Sequence, residues 1–71
     1  MNLHIETDRE EDGRWLADVV DLPGVLAYGP TRTAAITAVK ALALRVLADQ
    51  LDSGELAPDS LADVHFVQAA A

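Results

Sequence analysis

The chain of 71 residues contains no cysteine, which excludes disulfide staples, thiolate metal sites and a cysteine nucleophile together. Its two histidines, His4 and His65, are too few for a common zinc ligand set. Only five residues are basic against twelve acidic, giving a net charge of −7. A surface of that sign repels a phosphate backbone, so direct binding of DNA or RNA is not expected. No apolar run approaches the ~20 residues that span a bilayer. Met1 is followed by Glu6, Asp8 and Glu10 rather than by the apolar centre of a signal peptide, so the sequence reads as cytoplasmic. There is no glycine-rich phosphate loop, no Ser-His-Asp arrangement and no basic stripe. No cofactor is expected.

What is present is a globular composition, 51% apolar and 24% charged. A domain this small buries only about 60% of its unfolded surface, and without disulfides or metal the usual support is oligomerisation. The negative field favours a basic partner and speeds its encounter.

The residue pattern divides the chain into short elements. Leu3, Ile5 and Thr7 alternate with His4, Glu6 and Asp8, the period of a strand with one dry and one wet face. Asp12 and Gly13 mark a hairpin turn. Residues 14–20 alternate again, with Trp15, Ala17 and Val19 on one face and Leu16, Asp18 and Val20 on the other. Leu22, Pro23 and Gly24 form a turn, residues 25–29 a third short strand, and Pro30 ends it. Thr31 is placed to cap a helix over residues 32–52, although Ala34 denies it a reciprocal capping box.

On that helix Ala35, Ile36, Val39, Leu42, Ala43, Leu44, Val46, Leu47 and Leu51 fill an arc of roughly 200°, wider than the ~100° needed to cover one sheet face. The surplus calls for the C-terminal segment or a second subunit, with Leu42, Leu44 and Leu51 as the expected self-association surface. Lys40 falls within the arc, its ammonium reaching out from the rim. Gly54 and Pro58 end the helix. Residues 59–63 read as a connector, residues 64–67 as a last strand, and residues 68–71 as a frayed tail. Residues 1–67 thus form one α+β domain in the order β-β-β-α-β. A right-handed crossover lays the last strand parallel to the first, and the helix covers one face of the sheet.

The candidate chemistry is sparse. Glu6, Asp8, Glu10, Glu11, Asp12, Asp18 and Asp21 concentrate negative charge on the first hairpin, either as a solvated strip or as a face for a basic partner, with Glu6, Asp8, Glu10, Asp18 and Asp21 as the expected partner-facing charges. Trp15 belongs to the core by default, but beside that strip it is also a candidate interface anchor. Tyr28 defaults to the core as well. His4 and His65 sit on strands that the topology makes neighbours, and they read as structural or surface residues. A metal-dependent nuclease would need further carboxylates from the helix and the last strand, and the helix acids lie on its wet side.

The ordered set Glu11-Asp12-Gly13-Arg14-Trp15-Leu16-Ala17, Leu22-Pro23-Gly24-Val25, Tyr28-Gly29-Pro30-Thr31 and Arg32-Thr33-Ala34-Ala35 resembles the HicB family of antitoxins. The resemblance runs over residues 3 to 67. It departs where the family carries glutamate after the capping threonine, since Thr33 and Ala34 stand there. It implies a partial RNase H-like fold without nuclease activity. The implied partner is a HicA-type toxin, a small basic ribonuclease that cleaves mRNA. The family's C-terminal DNA-binding segment has no counterpart up to Ala71. The alternative is a homo-oligomeric interaction module with another partner.

Overall fold

The computed structural model describes residues 1–68. It is an α+β fold with strands β1 (Asn2–Arg9), β2 (Trp15–Val19) and β3 (Leu26–Gly29), helix α1 (Arg32–Asp52) and strand β4 (His65–Gln68). The four strands form one sheet in the order β3-β2-β1-β4. β1 is antiparallel to β2 and parallel to β4, and β3 is antiparallel to β2. The topology is the expected one. Strand ends move by a single residue, and Gln68, expected in the tail, closes β4. The remainder of that tail lies outside the described residues.

The turns follow from local chemistry. The first hairpin closes through three residues, Glu11, Asp12 and Gly13. The Gly13 N–H donates to the Glu10 carbonyl at 3.0 Å, and the Glu10 N–H donates to the Arg14 carbonyl at 2.7 Å. Gly13 sits at φ 89°, the left-handed position that ends a three-residue hairpin loop. Thr31 caps α1 as anticipated, its hydroxyl accepting from the Ala34 N–H at 3.0 Å. At the other end Ser53 and Gly54 return N–H bonds to Asp49 and Leu51.

One face of the sheet packs against α1. Leu3 and Ile5 of β1, Ala17 and Val19 of β2, and Val25 meet Ala35, Ile36, Val39, Ala43 and Leu47 of the helix, all buried. No polar side chain among the described residues is buried with them. Removing a side chain such as Leu3 or Leu47 from water stabilises the fold by about 1.5–3 kcal/mol each. Gly29 lets helix and sheet approach closely, since a Cβ there would lie 2.5 Å from the Ala35 nitrogen.

The C-terminal segment takes up part of the helix's surplus apolar surface. Leu56, Leu61, Val64 and Phe66 pack against the core, as do Leu42 and Val46 from the helix itself. The connector is more ordered than the sequence suggested. Pro58–Leu61 forms one 3₁₀ turn, because proline at its start fixes φ and Leu61 has an apolar surface to rest on. The Lys40 ammonium reaches the rim and settles 5.6 Å from the centre of the Phe66 ring. Among the described residues no helix is long and apolar enough to cross a membrane.

Candidate functional site: the open face of the sheet

A single helix covers only one side of the sheet. The alternation within each strand sends His4, Glu6 and Asp8 of β1 to the other side, with Leu16, Asp18, Leu26, Tyr28, His65 and Val67 from the neighbouring strands. Val20, just beyond β2, joins them.

Register decides which of these residues meet. Glu6 stands opposite Asp18, and Asp18 opposite Leu26. In the next row Asp8 stands opposite Leu16, and Leu16 opposite Tyr28. The centre of the open face is therefore an acidic group, with an apolar border along β3. Glu6, Thr7, Asp8, Leu16 and Asp18 line a shallow depression there. Leu26 and Tyr28 are 43% and 46% exposed. None of Glu6, Asp8 or Asp18 takes part in the ion pairs found among the described residues, which use Asp12, Asp21 and Asp63. Like charges facing each other across two strands destabilise the free sheet.

The other acids expected at this face occupy different places. Glu10 lies at the hairpin end, where a second shallow depression is lined by Glu10, Glu11, Asp12 and Arg14. The Asp12 carboxylate accepts from the Arg14 N–H at 3.0 Å and from its Nε at 2.7 Å. These bonds, the backbone one first, hold the Asp12 carboxyl below its ordinary pKa. Asp21 lies beyond the end of β2 and closes the ladder with its side chain. Its carboxylate accepts from the His4 N–H at 2.5 Å and lies 3.2 Å from His4 Nδ1. The backbone bond to His4 is the main reason its carboxyl is also lowered.

Trp15 is not brought to the acidic group. It projects to the helix side with Ala17 and Val19 and is half-buried against the core. Tyr28 corrects the expectation of a core residue. It is the aromatic on the open face, and the Arg14 guanidinium lies 4.6 Å from its ring centre. Leu16, Leu26 and Val20 complete the apolar border that the sequence reading left out. Alternation along β2 already sets Leu16 and Val20 on the face of Asp18 without giving them a role, whereas Leu26 and Tyr28 depend on how the Leu-Pro-Gly turn sets the register of β3.

His4 and His65 share the open face on adjacent strands, with His65 opposite Asn2 and His4 opposite Val67. Each has its own carboxylate: Asp21 for His4, and Asp63 for His65 at 2.7 Å from Nε2. Among the described residues no three His, Cys, Asp or Glu side chains are grouped so as to hold a metal ion. Of the three leucines expected to mediate self-association, Leu42 packs against the core, Leu51 is half-buried, and Leu44 is 52% exposed.

Compared with protein-family models, curated proteins and solved structures, the chain matches none.

Proposed function

We propose that this domain is a non-catalytic binding protein whose open sheet face covers a basic patch on another protein. The observation that carries the reading is the Glu6, Asp8 and Asp18 group, which takes part in no ion pair found among the described residues and lies on the sheet face opposite α1. A lysine or arginine arriving from a partner relieves the repulsion between Glu6 and Asp18, and Leu16, Leu26 and Tyr28 supply apolar contact beside it. Recognition by charge plus an apolar border favours a folded basic protein over a nucleic acid, whose phosphates the same carboxylates repel.

The resemblance to HicB antitoxins makes the partner specific: a HicA-type mRNA-cleaving toxin, covered on its RNA-binding surface in the cytoplasm. Such a role asks for occlusion and no reaction by this chain. The test is co-expression with a HicA-type basic ribonuclease, scored by growth and by co-purification. Growth rescue and a salt-sensitive complex are expected from the wild type. A Glu6→Gln, Asp8→Asn, Asp18→Asn triple variant should lose both. A complex that survives the triple variant unchanged places the partner elsewhere and overturns the reading.

A further inference from the structure

β3 is an edge strand, and its outward side has an unusual property for a chain of net charge −7: residues 22–31, between Asp21 and Arg32, carry no charge at all. The ladder shows which backbone groups face outward. The Val19 N–H donates to the Val25 carbonyl at 3.0 Å while the Val25 N–H turns back to the Leu22 carbonyl at 3.1 Å, so within β3 it is Ala27 and Gly29 that turn their N–H and C=O groups toward β2. Leu26 and Tyr28 consequently turn theirs away from the sheet, and both side chains are exposed on the open face. Natural edges are commonly blunted by charge, proline or a bulge. Here the blunting lies only at the two ends, at Pro23 and Pro30. The strand between them is held firmly from behind, where Gly29 meets the backbone of Ala34 and Ala35.

We propose that a second copy of this chain pairs with this edge, β3 against β3, antiparallel about a two-fold axis at Ala27. Leu26 of each copy then exchanges backbone hydrogen bonds with Tyr28 of the other, and the two sheets become one of eight strands. Charge selects a copy of the chain as the occupant. Two molecules of net charge −7 repel wherever their carboxylates meet, and this edge brings them together without any. The cation over the Tyr28 ring, Arg14, is paired with Asp12 at 2.7 Å. The pairing is isologous and therefore closed, and the prolines allow no longer register. It also gives a small, cysteine-free domain the support its size calls for. The acidic group stays open, so this inference does not depend on the proposed toxin.

Sedimentation of the full chain from micromolar to millimolar concentration should show a monomer–dimer equilibrium. Tyr28→Pro removes one outward N–H per copy while Ala27 and Gly29 keep the inward ladder. Self-association should weaken by about tenfold or more, with circular dichroism and melting showing a folded monomer. Ala27→Cys supplies an independent reporter in a chain with no other thiol. In this register the two Ala27 Cα atoms form a non-hydrogen-bonded pair about 4.5 Å apart, within disulfide reach, so oxidation should give a covalent dimer. Leu44→Cys, on the exposed helix surface, should not link. A monomer at every concentration, a dimer untouched by a folded Tyr28→Pro, or linkage through Leu44→Cys in place of Ala27→Cys overturns the proposal. If Tyr28→Pro does not fold, the two cysteine variants decide it.

Discussion

Glu6 and Asp18 stand directly opposite each other across β1 and β2, on the sheet face that α1 leaves uncovered. The pair costs the free protein stability, because two carboxylates side by side must be held against their repulsion. Neutralising one of them should therefore stabilise the isolated domain while weakening it as a binder. Asp18→Asn is expected to raise the unfolding free energy by about 0.2–1 kcal/mol, measured by urea denaturation at low salt. The gain should shrink as salt is added, since these groups are open to solvent.

Asp21 makes a different use of its charge. Its carboxylate accepts the His4 N–H at the end of the β1–β2 ladder, and this bond lowers its pKa in the folded state. A carboxyl lowered on folding contributes stability above its unfolded pKa of about 3.9, and that contribution is lost as pH falls through the folded value. Wild type should be more stable than Asp21→Asn at neutral pH. The two should converge in acid below pH ~3.9, as read from denaturation curves taken across that range.

Gly29 is required for space, not for an unusual backbone angle. Gly29→Ala would put a methyl group 2.5 Å from the Ala35 nitrogen and 2.9 Å from the Ala34 carbonyl carbon. Backbone cannot move aside as a flexible side chain can. The expected loss is about 1–3 kcal/mol, with the melting temperature lowered accordingly. A variant as stable as wild type would mean that the helix start is not seated against β3 as described.

Thr31→Ala removes the side-chain cap at the start of α1, leaving the Ala34 N–H without its 3.0 Å partner. A loss of about 0.5–2 kcal/mol is expected, and Thr31→Ser should retain most of the stability. Thermal melts of the three proteins provide the check.

In the core, Leu47→Ala should cost about 2–5 kcal/mol, because Leu47 is 2% exposed and surrounded by apolar side chains. Total stabilities of small domains lie near that size, so the variant should be largely unfolded by circular dichroism.

Most of the fold was legible along the chain because its signals are local. Alternation at Leu3, Ile5, Ala17 and Val19, positive-φ glycines at the turns, a threonine cap and an Ala/Leu-rich helix each act within a few residues. The crossover rule then leaves few topologies. The 3₁₀ turn at Pro58–Leu61 was less visible, because it depends on Leu61 finding the core.

The site was only half legible, and the reason is physical. Sequence period alone assigns Glu6, Asp8 and Asp18 to wet faces, and it fixes the charge they carry. Which side chains stand opposite one another is a matter of register, and register is set by turn geometry and by which face the helix chooses to cover. That arrangement sent Trp15 inward and Tyr28 outward, tied Asp21 to His4, and put the uncharged run of residues 22–31 at the edge of the sheet. Hydrophobic period and charge are properties of the chain, so an acidic sheet backed by one long helix follows from residue order. Which residues that sheet displays follows from contacts between segments far apart along it, and so from the folded arrangement.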